Sequence, residues 1–217
     1  MNVNEKKSTY GKFINKDTQK SLVYYPCPKN ANTSAKLFFL KHLGIEKKFI
    51  FIGDKIPRYK QTKKDLKGKI NIVSFLINKQ PFSKIDADVK CCIIRDPLER
   101  FISAYKNRIL YHKDSEFYDH SIDMIIDKLE SNYFDNKHFL PQSFFLGQDL
   151  NYYNFFSNVT DLKSFENGVN EFFNNKIQFP KLQTSGKNLG ISLTKIQINK
   201  IKKIYSNDYD LFEKKYK

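Results

Sequence analysis

Two apolar runs, each followed by a polar turn and a helical pattern, most strongly limit the folds open to this chain. The first run, SLVYY at residues 21–25, precedes the amphipathic segment TSAKLFFLKHLG at residues 33–44. The second run, VKCCII at residues 89–94, precedes DPLERFISAYKNRILYH at residues 96–112. Short continuous apolar runs are typical of strands buried on both faces. The pattern therefore predicts an α/β fold with a mainly parallel sheet.

Further segments continue the alternation of strands and helices. We expect Asp96 to be the N-cap of the second helix and Pro97 to occupy its first position. No repeat or linker interrupts the chain, so residues 1–217 are predicted to form a single domain, with a flexible segment at 1–19. The pattern predicts strands at 47–53, 69–77 and 152–159, helices at 121–130 and 161–173 (the latter capped by Asp161), and two helices within 192–216.

Charge and cysteine content narrow the class of ligand and the cellular setting. The chain has 38 Lys and Arg against 23 Asp and Glu, a net charge of +15. Such a field attracts anions, including nucleotides, sulfate donors, acidic glycans and nucleic acid. Cys27, Cys91 and Cys92 lack metal-ligand spacing, and we expect the adjacent pair to be small buried core residues. No secretory signal or membrane-spanning run is visible, so we expect a cytoplasmic protein.

The first strand-to-helix junction contains a lysine before a polar loop, in PCPKNANTS at residues 26–34. Ligands of parallel sheets bind where strands end and helices begin. Lys29 supplies a point charge, and the loop backbone can hold an oxyanion. The P-loop pattern GxxxxGK[ST] is absent, which disfavours a magnesium-dependent kinase. The candidate oxyanion ligands in the loop are Asn30, Ala31, Asn32, Thr33 and Ser34.

The second junction contains an arginine at the predicted end of a strand. Arg95 precedes the helix, and Ser103 lies two turns into it. A phosphate held near the helix start is within reach of both side chains. Because parallel strands end at one edge of a sheet, we expect both junctions to face the same crevice.

Together, PCPKNANTS and RDPLERFISAYKNR resemble the 5′-phosphosulfate loop and the 3′-phosphate motif of sulfotransferases that use 3′-phosphoadenosine 5′-phosphosulfate (PAPS). The resemblance is to the carbohydrate sulfotransferase family (sulfotransferase family 2), which includes the chondroitin and dermatan enzymes. Residues 136–147, NKHFLPQSFFLG, resemble the His-aromatic-x-Pro-Gln segment of that family. Residues 205–212, YSNDYDLF, resemble the family's C-terminal pattern of Tyr, Asp and Phe. The similarity extends from about residue 21 to about residue 212.

The resemblance implies a P-loop-like three-layer fold, with a central sheet flanked by helices, and in-line sulfuryl transfer from PAPS to a hydroxyl acceptor, expected to be a carbohydrate. It implies that Lys29 neutralises the leaving phosphate, that the loop from Asn30 to Ser34 holds the phosphosulfate, and that Arg95 and Ser103 bind the 3′-phosphate. Lys187, in TSGKN, is expected to close over the nucleotide. No metal is expected. The animal members carry a membrane anchor and disulfides, neither of which is visible here.

The general base is left open between several side chains. Histidine has a suitable unperturbed proton affinity, and His138 lies in a segment that resembles the family. Asp86 and Glu99 are the alternatives.

Two other classes of function stay open. A nucleotide-dependent phosphotransferase would need a magnesium-binding aspartate after an apolar strand, for which Asp54 is the candidate. A non-catalytic protein that binds polyanions or RNA would use the net charge of +15 together with the tyrosines and phenylalanines. Scattered basic residues and the absence of an RNA-binding signature argue against nucleic acid as a partner. The sequence names neither the acceptor nor the oligomeric state.

Overall fold

The computed structural model describes residues 7–44, 49–50, 58–59, 79–81, 85–113, 118–131, 136–181 and 189–212. The strands are β1 (Lys7–Thr9), β2 (Gly11–Ile14), β3 (Ser21–Tyr25), β4 (Phe49–Ile50), β5 (Arg58–Tyr59), β6 (Lys79–Pro81), β7 (Val89–Ile94) and β8 (Phe155–Asn158). The α-helices are α1 (Asn32–His42), α2 (Pro97–Tyr105), α3 (Ile122–Glu130), α4 (Gln142–Leu146), α5 (Lys163–Phe173), α6 (Lys195–Ile204) and α7 (Ser206–Phe212). A π-helix spans Lys106–Tyr111 and a 3-10 helix spans Leu150–Tyr152.

The chain divides into two compact units. The first comprises Met1–Ile94 and Phe145–Gln183, and the second comprises Arg95–Phe144 and Thr184–Lys217. That residues 1–217 form a single functional domain stays a prediction. None of the helices in the described parts of the chain is long and apolar enough to cross a membrane.

A four-stranded sheet in the order β2-β3-β7-β8 forms the centre of the first unit. β3 pairs in parallel with β7, and β7 pairs in parallel with β8, whereas β2 is antiparallel to β3. The predicted α/β class with a mainly parallel sheet is therefore confirmed. The edge strand corrects one expectation, because Gly11–Ile14 was predicted to be flexible and instead pairs with β3, with Phe13 only 1% exposed.

Both strands predicted from continuous apolar runs are buried on both faces. Residues 22–25 of β3 and 91–94 of β7 are all 0% exposed. The cysteines are free thiols, and all are buried, as expected for Cys91 and Cys92 as core residues. One face of the sheet packs against α1 and α5 in a cluster formed by Phe13, Leu22, Tyr24, Ala35, Phe38, Phe39, Cys91, Ile93, Phe165, Val169 and Phe179.

Helices α2, α3 and α6 form a second core, in the second unit. Asp96 is the N-cap of α2, because its Oδ1 accepts a hydrogen bond from the Glu99 N–H at 2.9 Å, and Pro97 follows it as predicted. The predicted helix to residue 112 is α-helical only as far as Tyr105 and continues as the π-helix. The core consists of Phe101, Ala104, Tyr105, Ile109, Ile125, Ile126, Leu129, Phe139, Ile201 and Tyr205.

Most of the remaining predicted elements are confirmed, with local corrections. The helix predicted at 121–130 is α3, which Ser121 caps. Helix α5 has Leu162 as its N-cap, whereas the predicted cap, Asp161, accepts a hydrogen bond from the Lys163 N–H at 3.1 Å.

The structure describes the strands predicted at 152–159 and 47–53 to different extents. Of the first, only Phe155–Asn158 forms a strand, because the chain before it turns through the 3-10 helix. Of the second, only Phe49–Ile50 is described. The strand predicted at 69–77 lies outside the described residues.

Candidate functional site

A tight turn carries Lys29 between β3 and α1. The Asn30 N–H donates to the Cys27 carbonyl at 3.2 Å, and Lys29 has a φ of 71°. Pro28 at the second position and a positive φ at the third are the signature of a type II turn. Glycine is usual at the third position, so the lysine holds a strained backbone conformation.

The start of α1 directly follows this turn. Ala31 is the N-cap, with a φ of 52°, and it makes no side-chain hydrogen bond to the helix. The first helical bond runs from the Ala35 N–H to the Ala31 carbonyl at 2.9 Å. Helix starts carry partial positive charge and offer N–H donors, so this start is suited to hold an anion.

Asn30 connects the loop to the sheet through a side-chain hydrogen bond. Its side chain is 0% exposed, and its Nδ2 donates to the Ile93 carbonyl of β7 at 2.8 Å. The loop conformation is therefore supported by the sheet core as well as by its own turn.

Asn32, in the first turn of α1, provides a second polar group at this helix start. Its Oδ1 is buried and has no hydrogen-bond partner among the described residues. Amide oxygen and nitrogen are interchangeable by a flip of the side chain, so this group can present N–H donors to a bound anion. The loop residues thus fit a phosphosulfate group by their chemistry.

Arg95 follows directly after β7 in the chain and belongs to the second unit. Its side chain is 23% exposed and lies 3.6 Å from the Glu99 carboxylate, measured from Nη2 to Oε2. Burial lowers the pKa of Arg95, and the neighbouring Glu99 charge opposes that shift. An arginine stays charged even so, and partial burial strengthens its attraction for a phosphate.

The backbone of Arg95 is held by a side-chain amide. The Arg95 N–H donates to Gln142 Oε1 at 2.9 Å, and Gln142 Nε2 donates back to the Arg95 carbonyl at 2.6 Å. Gln142 is held in turn by Asp208, whose carboxylate accepts from the N–H groups of Gln142 and Ser143 at 2.6 and 2.9 Å.

The predicted ligands divide between the two units. The loop from Lys29 to Ser34 belongs to the first unit, and Arg95 and Ser103 belong to the second. Ser103 is partly exposed on α2. Lys187 and Asp54 lie outside the described residues. The roles of all these side chains as ligands stay predictions.

The three candidate bases have different surroundings. The loop of His138 is held through its backbone, because its N–H donates to Asn136 Oδ1 at 3.0 Å and its carbonyl accepts from Arg100 Nη2 at 3.2 Å. Asp86 is exposed in the first unit, and Glu99 is engaged with Arg95. Which of them takes the proton stays a prediction.

The structure adds Gln142, Asp208 and Arg100 to the residues that sequence reasoning selected for this site. Gln142 and Asp208 lie in two segments that carry the family resemblance, NKHFLPQSFFLG and YSNDYDLF, but the sequence assigns neither residue a role. Arg100 is 1% exposed, and an arginine so deeply buried needs polar partners such as the His138 carbonyl. Among the described residues, no cluster of His, Cys, Asp or Glu could hold a metal ion.

Comparison with known proteins identifies a family. A family model described as "Sulfotransferase family" matches residues 12–217. No curated protein and no solved structure matches the chain. The family match covers all four segments that carry the resemblance in the sequence.

Proposed function

The chain belongs to the sulfotransferase family, and from that premise we propose that it transfers a sulfuryl group from PAPS to a hydroxyl of a carbohydrate. Family membership supports sulfuryl transfer in general. The main structural support for PAPS as the donor is the strained turn at Lys29. Helix α1 begins directly after this turn, and its N-terminus has no side-chain cap. No glycine-rich triphosphate loop stands at that position.

The chemistry assigns a separate task to each part of the site. In sulfuryl transfer the S–O bond to the donor phosphate breaks as the bond to the acceptor oxygen forms, and the acceptor loses its proton. Negative charge grows on the 5′-phosphate of the product, adenosine 3′,5′-bisphosphate (PAP). Lys29 neutralises that growing charge, so it lowers the barrier more than it tightens ground-state binding.

Donor recognition uses the two groups of residues named above. The N–H groups of residues 31–34 hold the phosphosulfate, with the hydroxyls of Thr33 and Ser34 beside them, while the Asn30 N–H closes the turn that presents them. Arg95 and Ser103 bind the 3′-phosphate, which separates PAPS from donors without it. Lys187 closes over the nucleotide, and His138 takes the acceptor proton. No residue in this scheme requires a metal.

The acceptor is the least constrained partner. The net charge of +15 favours an anionic acceptor or donor, and an acidic glycan satisfies that preference. Since the chain resembles carbohydrate sulfotransferases, glycans are the first acceptors to test.

A transfer assay with radiolabelled PAPS tests this proposal. The acceptors are a neutral glycan, an acidic glycan, a tyrosine peptide and a small alcohol, with labelled ATP and magnesium as the competing donor. We expect label from PAPS on a glycan, and a loss of about 100-fold or more in Lys29→Met. The matched control, Lys16→Met, removes an exposed lysine of the same unit and should transfer as wild type does.

The outcomes separate the parts of the proposal. Label only on the peptide or the alcohol would overturn the carbohydrate acceptor and leave the PAPS donor standing. Transfer from ATP and not from PAPS would favour the phosphotransferase alternative. Equal transfer by Lys29→Met and wild type would refute the role of Lys29.

A further inference from the structure

Gln142 forms two hydrogen bonds with one residue of the donor site, Arg95. The N–H and carbonyl of Arg95 are both bonded to the Gln142 side chain, at 2.9 and 2.6 Å. Gln142 is 0% exposed, so water cannot replace either bond without opening the core. These two hydrogen bonds fix the peptide groups on both sides of the Arg95 Cα. They therefore also fix the direction in which the Arg95 side chain leaves the backbone.

Asp208 holds Gln142 in place from the other side. Its carboxylate is 0% exposed, and its two oxygens accept the N–H groups of Gln142 and Ser143. A buried carboxylate is tolerated when its oxygens are hydrogen-bonded, and removal of those bonds leaves a costly charge. The main chain at Gln142 is therefore pinned by α7, which carries Asp208.

The same helix also supports the start of α2. The Leu98 N–H donates to the Tyr209 hydroxyl at 3.2 Å. Burial raises the pKa of Tyr209, and the neighbouring Asp96 charge raises it further, so the hydroxyl stays protonated at neutral pH. Two adjacent residues of α7, Asp208 and Tyr209, therefore brace the chain at Arg95 and just after it.

The contacts of the Arg95 side chain include an ion pair with Glu99. Its ion pair with Glu99 is 3.6 Å long, and the Glu99 side chain is 60% exposed. Exposed pairs of this kind add little rigidity. Glu99 therefore adds little to the constraint that the two backbone hydrogen bonds of Arg95 already impose.

We propose that Gln142 and Asp208 are positioning residues that aim Arg95 at the 3′-phosphate of the donor. The inference rests on the proposed function, because it assumes that Arg95 binds that phosphate. Gln142 touches neither donor nor acceptor in this scheme, and acts only through the Arg95 backbone. Loss of Gln142 should therefore impair recognition of the 3′-phosphate and spare recognition of the rest of the nucleotide.

The test compares PAP with adenosine 5′-monophosphate, which lacks the 3′-phosphate, by calorimetric titration. We expect Gln142→Met to weaken PAP binding about tenfold, as lost alignment of one charged hydrogen bond implies. Binding of the monophosphate should change less than about twofold. The matched control, Ser143→Ala, removes the buried hydroxyl that accepts from Asn207 Nδ2 at 3.0 Å and should bind PAP as wild type does.

A double-mutant cycle distinguishes positioning from general destabilisation. If Gln142 acts through Arg95, the variant that combines Gln142→Met with Arg95→Ala should bind PAP no more weakly than Arg95→Ala alone. Additive losses, equal losses for both nucleotides, or wild-type PAP affinity in Gln142→Met would overturn the proposal. If Gln142→Met does not fold, Asp208→Asn, which keeps one acceptor for the two N–H groups, is judged by the same criteria. Absence of PAP binding by the wild type would instead refute the proposed function, and this inference with it.

Discussion

Lys29 combines an unfavourable backbone conformation with a positive charge that the proposed sulfuryl transfer would use. Its φ of 71° lies in the left-handed region, which costs a non-glycine residue about 1 kcal/mol or more. Glycine occupies that region without strain. The backbone alone therefore favours a glycine here, and the proposed role in sulfuryl transfer accounts for a lysine instead.

Replacement of Lys29 by glycine should separate stability from activity. We expect Lys29→Gly to raise the free energy of unfolding by up to about 1 kcal/mol, because strain is relieved, and to reduce transfer by about 100-fold or more. Urea denaturation and the labelled-donor assay measure the two effects. Lys113, with a φ of 50°, is the matched control, since Lys113→Gly should relieve similar strain and keep full transfer. Full transfer by Lys29→Gly would contradict the proposed role.

His42 makes the first unit sensitive to acid. Its ring stacks on Phe173, with centroids 4.8 Å apart, and meets the edge of Phe38 at 4.7 Å. Burial lowers the pKa of His42 to about 4 from its ordinary value of 6.5. The folded protein therefore favours the neutral ring, so this stabilisation is complete above pH 6.5 and declines as the pH falls towards 4.

Urea denaturation between pH 7 and pH 4 should reveal this loss. Partial exposure screens the effect, and we expect His42 to account for about 1 to 2 kcal/mol of the stability lost over that range. His42→Phe keeps an aromatic ring in the stack and cannot take up the proton. Its stability should fall less steeply with decreasing pH, and a slope equal to that of wild type would rule out His42 as the cause.

Helix α5 approaches β8 closely because residue 168 has no side chain. A Cβ at Gly168 would lie 2.8 Å from the ring of Phe155, well inside normal contact distance. Glycine is a poor helix former, so its presence inside α5 reflects this packing.

Alanine at position 168 should therefore destabilise the protein despite its better helix propensity. The propensity gain of about 1 kcal/mol is set against an overpacking penalty of about 1 to 3 kcal/mol, and we expect a net loss near 1 kcal/mol. Thermal unfolding measures this loss of stability. Addition of Phe155→Leu to the Gly168→Ala variant should recover most of the loss. Gly190→Ala is the control, because no atom of the described residues lies within 4 Å of a Cβ there. A gain in stability for Gly168→Ala would show that Phe155 gives way.

Helices and strands whose own residues carry a clear local signal were predictable from the sequence. Those that depend on pairing with residues far along the chain were not. Asp96 and Pro97 mark the start of α2 locally, so sequence alone locates it. Strand β2 has no strong pattern of its own and is defined by its pairing with β3. The support of Arg95 was equally hidden, because Gln142 lies 47 residues from it and Asp208 a further 66 residues on.

For the candidate site, the sequence indicates which charged residues to consider but not the backbone conformation that holds them. Lys29 and Arg95 stand out because a cation at the end of an apolar run is visible in the sequence. The left-handed conformations of Lys29 and Ala31 were not, since neither residue favours them. Tertiary contacts such as the bond from Asn30 Nδ2 to Ile93 impose them.

The net charge of +15 acts on every anion near the protein, so it cannot by itself define a specific ligand. The salt dependence of affinity distinguishes non-specific binding of polyanions from specific binding of PAP. We expect binding of a generic RNA to be lost when NaCl is raised from about 50 to about 500 mM, whereas PAP affinity falls less than about tenfold. Filter binding of labelled RNA and PAP measures both. Equal salt sensitivity would favour the polyanion-binding alternative.

The central claim, that this chain is a PAPS-dependent sulfotransferase, depends first on recognition of the donor nucleotide. The most direct test is calorimetric titration of the protein with PAP, in parallel with ATP plus magnesium. Arg95→Ala is the test variant, and Lys202→Ala, which removes an exposed cation of α6 in the same unit, is its control. We predict micromolar binding of PAP to wild type and to Lys202→Ala, and binding weaker by at least about tenfold, yet measurable, in Arg95→Ala. Tighter binding of ATP with magnesium, or no binding of either nucleotide, would contradict the account.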